Sequence, residues 1–432
     1  MPDYKKKKVN RLRGAPKPKK AKHIAPPENN DIVMTSSPAK KRGAPPKTKT
    51  PDSNMRVVNG KKLERKRKFR ISFSAIFAVS VIALILHLIL PVGIFENVQN
   101  LTALIGSGSY PAEIESTEVL NTVSRGNYYY VLTDTRLIAY SNGGKEIYSY
   151  SHGFEKPVLK TSKTRAMVFS QGGNEAYVYN LAELKSSVTT DKEIITANIS
   201  DSGAYALVTR SDSYASVVSV YNKNDKLVYE WYSSEDTVNN VAVAPNGKKI
   251  AISAFNATSG DYSAKVCVLG FNSATPEYTE SYSGSPIYGI DSMSTAGFSV
   301  ITENGIQFIK WSKFQKEEYK NDYSAAMFRS SSSGSVAVFN RSSDKTDNRV
   351  AVFNSKGKLK SEFEFKGIIS DIEIRGGHIY CISDTFVYLL SENGEVLRKS
   401  ECGFGAVRIS VTGTNSVAVV TDNQIYRIQL EQ

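Results

Sequence analysis

Outside its first hundred residues the chain has two histidines, His152 and His378, and these are its best candidates for a general base near neutral pH. A hydrolase or lyase acting on glycans or peptides would have to bring one of them to Ser and Asp side chains from distant loops. No Gly-x-Ser-x-Gly elbow, Walker loop or ordered dinucleotide fingerprint is present. Neither histidine sits in a close His/Cys/carboxylate cluster, so no metal-ligand set and no cofactor site can be read. The segment 343–348 offers two Asp with a Lys between them, which lacks calcium-loop spacing and reads as an exposed hairpin turn. Glu362 and Glu364 alternate with Phe363 and Phe365, the pattern of a solvated outer strand face rather than of a glycosidase pair. Cys267 lies in an apolar run and reads as a buried thiol; Cys381 and Cys402 could pair only if adjacent strands carried them.

The elements that would position these groups are β-strands. Runs such as Tyr-Tyr-Tyr-Val-Leu at 128–132, Tyr-Ala-Leu-Val-Thr at 205–209 and Ile-Ala-Ile-Ser at 250–253 suit pleated surfaces and are separated by turn residues. They recur in two linked forms. A polar turn feeds a small-residue or apolar strand at 200–207, 244–251 and 332–338. A hairpin with a charged or glycine turn follows at 220–227 (Val-Tyr-Asn-Lys-Asn-Asp-Lys-Leu), 352–359 (Val-Phe-Asn-Ser-Lys-Gly-Lys-Leu) and 389–396 (Leu-Leu-Ser-Glu-Asn-Gly-Glu-Val). First-form turns are assigned to Gly126, Gly173, Gly203, Gly247, Gly297, Gly334, Gly377 and Gly413, a mean spacing of 41 residues that matches a four-stranded propeller blade. The expected fold is all-β, a β-propeller over 113–432 with eight blades, seven being the alternative. A strand near 113–116 would complete the last blade. Radial closure also explains why so many short strands leave few exposed edges. The Tyr/Ser-rich stretch 278–286 reads as a linker between blades or as a recognition surface.

Residues 1–70 differ from this in kind. They hold 23 Lys/Arg against 5 Asp/Glu, a formal +18, whereas the rest of the chain carries 32 against 37, a formal −5. Charge repulsion and proline predict a disordered basic tail. Residues 71–95 contain no Lys, Arg, Asp or Glu and are long enough for one transmembrane helix, with His87 near its outer end. The signal is that of an uncleaved signal-anchor, since the segment starts late and no Ala-x-Ala site follows it. Lys61, Lys62, Arg65, Lys66, Arg67, Lys68 and Arg70 immediately precede it, so the positive-inside rule places the tail in the cytoplasm and 96–432 outside, with 96–112 as a stalk. This predicts a single-pass cell-membrane protein whose tail touches anionic lipid, at about 1 kcal/mol per basic residue. Nucleic acid is disfavoured as a partner, because the tail has only Tyr4 and Phe69 as aromatic residues to stack on bases.

The Ser/Ala-x-x-Gly turn before a strand, paired with the aromatic-Asn/Ser hairpin, resembles the repeats of WD40-like and pyrroloquinoline-quinone-like (PQQ-like) propellers. The layout as a whole resembles uncharacterised membrane-anchored β-propeller proteins of Firmicutes, clostridia especially. Departures are clear: at 152–153 the order is His-Gly, neither Trp231 nor Trp311 precedes Asp, and two Trp are too few for the quinoprotein docking pattern. The resemblance therefore implies a fold and a layout, and transfers no catalytic residue or cofactor ligand. The functional expectation is a tethered extracytoplasmic binding or scaffold module in the cell envelope, meeting an envelope protein, peptide or surface polymer. The alternatives are an extracytoplasmic hydrolase or lyase using His152 or His378, and a single-pass sensor coupled to the tail.

Overall fold

A computed structural model describes residues 75–431 apart from 88, 117, 258–261 and 295. The basic tail 1–70 and its seven juxtamembrane residues Lys61, Lys62, Arg65, Lys66, Arg67, Lys68 and Arg70 lie outside the described residues. So do positions 71–74 and 88 of the expected span.

Thirty-two described strands form eight four-stranded antiparallel sheets. In chain order they are blade 1 (119–151), blade 2 (157–189), blade 3 (194–233), blade 4 (237–283), blade 5 (287–320), blade 6 (324–366), blade 7 (369–401) and blade 8 (408–429). Blade 8 supplies three strands of its own. Its fourth is Ala112–Glu113, with Ala112 opposite Ile425 and Glu113 opposite Gln424. The ring is thus closed by pairing the two ends of the domain, and eight blades are present rather than seven.

Both sides of every sheet are covered, which is why the middle strands read as continuous apolar runs instead of alternating ones. Eight clusters of buried residues result, each filling the gap between two neighbouring blades. The triple tyrosine shows the geometry: Tyr128 and Tyr130 pack toward blade 2 and Tyr129 toward blade 8. Cys267, Cys381 and Cys402 are free thiols buried in these clusters, and burial pushes the Cys381 thiol up to about 12.

The second-form hairpins owe their sequence to one device. Asn222 Oδ1 accepts backbone N–H groups of Asn224 (2.9 Å) and Lys226 (3.2 Å), and Asn354 Oδ1 does the same for Lys356 (2.9 Å) and Lys358 (3.1 Å). A register shift follows each turn, and the turning residue has positive φ, 59° at Asp225 and 81° at Gly357. This is the turn-plus-bulge hairpin whose left-handed position favours Gly, Asn or Asp.

Two readings of the sequence are corrected. Gly173 lies in the turn joining the second and third strands of blade 2, not the first and second. The expected position is held instead by 162–165, where Ser162 Oγ accepts the N–H groups of Thr164 (3.3 Å) and Arg165 (3.1 Å) and replaces a glycine turn. The stretch at 278–286 is mostly strand, with Tyr278–Ser283 forming the outer edge of blade 4.

Residues 75–87 and 89 are helical. Among the described residues no helix is long and apolar enough to cross a membrane. The segment 96–112, expected as a stalk, carries most of a further helix, α1 (Ile94–Ala103), which is docked on the propeller.

Candidate functional site

The first strand of each blade lines the axis, and the side chains there face a cavity of about 780 Å³. Its mouth is formed by turns between first and second strands, including Gly126, Lys163, Asp201 and Ser332, together with Lys356 of a third-to-fourth-strand hairpin. All of these turns lie on one face, because antiparallel strands bring the two kinds of connection to the same end.

The cavity wall is a ring of charged staples between blades. Arg329 donates to Asp371 Oδ1 at 2.9 Å, and Asp371 Oδ2 accepts the Ile409 N–H at 3.1 Å, joining blades 6, 7 and 8. Arg375 reaches the carbonyls of Val411 and Gly126 (2.6 Å to the latter), Arg408 that of Leu120 (2.8 Å), and Arg125 that of Thr161 (3.0 Å). They join blade 7 to blades 8 and 1, blade 8 to blade 1, and blade 1 to blade 2, so the bonds to Gly126 and Leu120 span the seam where the chain closes on itself. Most of the charge at the axis therefore fixes backbone against backbone, and what remains can contact a ligand. Thr122 Oγ1 and Ser292 Oγ line the cavity with no hydrogen-bond partner among the described residues, and such groups call for water or a ligand. Lys160, half-buried on blade 2, has its pKa lowered by burial, with Asp291 opposing the shift.

Glu373 is the most perturbed carboxyl of this ring. Its Oε2 accepts the Ser124 hydroxyl (2.7 Å) and the Val411 N–H (3.1 Å), while Ser124 Oγ stands 2.6 Å from Ser410 Oγ. Burial raises its pKa from 4.5 to about 7, and neighbouring Asp371 adds to the shift, against the two hydrogen bonds and Arg375. The folded state thus prefers the protonated carboxyl. That contribution to stability is complete below the unfolded pKa and is lost as pH rises through about 7. Glu373→Gln, which keeps an acceptor and drops the charge, should be more stable than the parent at pH 8 by roughly 1–3 kcal/mol and equal to it at pH 4. Urea unfolding at the two pH values measures this. A variant less stable at pH 8 would mean that the ionised carboxylate is the stabilising form.

The structure places the two histidines elsewhere. His152 is buried at the end of blade 1: Nε2 lies 3.2 Å from the Thr133 carbonyl, Nδ1 accepts the Phe154 N–H at 3.1 Å, and the ring stacks on Phe154. Burial lowers its pKa. His378 begins the second strand of blade 7. Neither lines the axial cavity. Among the described residues no group of three or more His, Cys, Asp or Glu could hold a metal ion. Glu362 and Glu364 lie on the exposed face of the outer strand of blade 6, with Phe363 and Phe365 packed against the cluster between blades 6 and 7. The cavity residues escaped sequence reading because the inner strands that supply them stand about a blade apart along the chain, with no local motif linking them.

The mouth face also receives α1. Arg165 donates to both oxygens of Glu96, at 2.6 and 2.7 Å, and to the carbonyls of Lys223 (3.0 Å) and Gly203 (3.3 Å). Both side chains of the pair are under a tenth exposed. Asn100 donates to Thr164 O (3.1 Å) and accepts the Leu181 N–H (2.8 Å), and Gln99 Oε1 accepts from Asn180 at 3.2 Å. Beyond the helix end Lys145 Nζ caps the carbonyls of Ala103 (2.9 Å) and Ile105 (2.5 Å).

Fold and site define an eight-bladed propeller with a polar axial cavity and a helix buckled to its mouth face. The chain belongs to DUF5711, a family of unknown function whose pattern matches residues 108–430. No curated protein sequence matches it. Among solved structures it is similar to the C-terminal WD40 domain of Sif2, with 10% identity and a TM-score of 0.53 over 76% of this chain and 100% of that one. BamB from Moraxella catarrhalis gives 12% identity and 0.47 over 75% and 99%, and a eukaryotic initiation factor 11% and 0.49 over 75% and 88%. At these identities the likeness to the Sif2 domain is one of fold.

Proposed function

We propose that this chain is a membrane-tethered extracytoplasmic binding module that receives a polar chain, a peptide of an envelope protein or a surface polymer, at its axial mouth. The observation that carries the binding role is the cavity wall: a rigid ring held by inter-blade staples, with Thr122 and Ser292 hydroxyls left unpaired inside it. Donors and acceptors of both charge signs favour a ligand with alternating polar groups over a simple anion or an apolar molecule. The tether is supported by the helical residues 75–87, where Ile76, Phe77, Val79, Ile82 and Ile85 point around the whole circumference and are all exposed. A helix apolar on every side needs an apolar surround. The basic residues that precede it favour a cytoplasmic tail, lying against anionic lipid, and an outward-facing propeller.

Site-specific photocrosslinking tests the reading. A probe replacing Ser332 at the mouth should capture a partner in intact membranes, and one replacing Phe404 on the opposite face should not. Monomer alone at both positions, or capture only from position 404, would overturn it.

A further inference from the structure

Helix α1 is attached to the propeller by its polar side. Glu96, Gln99 and Asn100 supply its bonds to blade 2, whose Arg165 in turn reaches blade 3, and Ala103 and Leu104 pack on the cluster between blades 1 and 2. Phe95, Val98, Leu101 and, just past the helix end, Ile105 occupy the other side, between 50% and 79% exposed. At 100° per residue the two sets are centred about half a turn apart. This is the reverse of the usual surface helix, whose apolar stripe faces the protein. Every polar group of α1 that could have faced water, save Thr102, is committed to the propeller or to Gly93.

What covers that apolar stripe follows from what adjoins it. The helical residues 75–87, exposed on every side, precede α1 in the chain, with a turn at 90–93 directly before it. His87 Nδ1 accepts the Ile94 N–H at 3.4 Å and its ring meets Phe95 edge-on, with centroids 6.3 Å apart, so the two apolar surfaces are continuous. No charged residue interrupts 71–95, and the basic cluster that precedes it is complementary to anionic lipid. A second copy of the chain would cover the α1 stripe but not the whole circumference of the preceding helix.

We infer that α1 lies in the outer leaflet of the bilayer as an interfacial helix, with Phe95, Val98, Leu101 and Ile105 against lipid. This rests on the tether proposed above and adds an orientation to it. Because α1 is buckled to the face that carries the axial mouth, the mouth is turned toward the membrane. Its ligand is then a segment presented close to the lipid surface, entering between propeller and bilayer.

The test uses the full chain in vesicles of phosphatidylcholine and phosphatidylglycerol, with an environment-sensitive fluorophore on single cysteines placed by Val98→Cys, Leu101→Cys, Leu84→Cys, Ser332→Cys or Phe404→Cys. The three native thiols are buried. Brominated lipids should quench probes at 98 and 101 about twofold or more, best with bromine near the headgroup, since interfacial helices sit about 5–10 Å deep. A headgroup acceptor should receive energy more efficiently from position 332 than from 404. Quenching at 84 with none at 98 and 101 would overturn the interfacial helix and leave the tether standing. No quenching at any of the three would overturn both. Lipid-independent self-quenching at 101 would assign the stripe to a second copy and overturn the inference.

Discussion

Replacing Arg165 with Met should free the segment 91–105 from the propeller while the blades stay assembled. The guanidinium makes two short bonds to Glu96 and two to carbonyls of blade 3, all away from solvent. Removing one partner of such a pair leaves the other charge desolvated, which costs about 3–5 kcal/mol. The loss falls on the docking equilibrium of α1, because Glu96 can return to water by letting the helix go. Amide exchange of residues 94–105 should therefore accelerate about a hundredfold or more, at roughly 1.4 kcal/mol per factor of ten. Strands such as Tyr205–Thr209 should keep their protection. Glu96→Gln separates the two ends of the pair: it removes the charge of α1 and leaves the blade 3 bonds of Arg165 intact. Unchanged exchange in 94–105, or simultaneous loss across the blades, would show that the pair does not latch the helix.

Shortening Ile114 to Ala should weaken the whole ring, by roughly 2–5 kcal/mol on the scale of buried aliphatic truncations. Ile114 is 5% exposed and packs with Val131, Ile138, Tyr140, Val420 and Ile425 between the first and last blades. Its N–H donates to Asn423 O at 2.8 Å, beside the Ala112 and Glu113 pairing that completes blade 8. Stacked repeats contact only their neighbours, so a ring differs from an open stack by the one seam that joins its ends. Loosening that seam gives blades 8 and 1 a free edge, and both should open before the others. Urea unfolding followed by exchange mass spectrometry reads the loss and its location. A loss below about 0.5 kcal/mol, the level of an ordinary surface change, would mean that the arginine staples alone hold the ring.

The blade repeat was legible because its signals are local. Asn222 and Asn354 write their hairpins in adjacent residues, and seven of the eight turn glycines stand where the 41-residue spacing puts them. Gly173 misled because a hydroxyl can replace a glycine turn, as Ser162 does, and two-residue patterns do not show which connection they serve. Glu96 stands in no local pattern that marks it out from other acidic residues of the domain. Its partner, 69 residues away, could be found only by folding the chain.

The all-β repeat, its blade length, the strand that closes it, and the sharp division of charge between tail and domain are all written locally in the chain. These follow from periodicity, turn chemistry and composition, each read within a few residues. Folding settles the rest: eight blades rather than seven, one cavity faced by arginines and carboxylates of distant inner strands, and α1 docked by its polar side on the face where that cavity opens. Those facts depend on radial closure, which brings together residues hundreds of positions apart and sets which side of a helix meets protein.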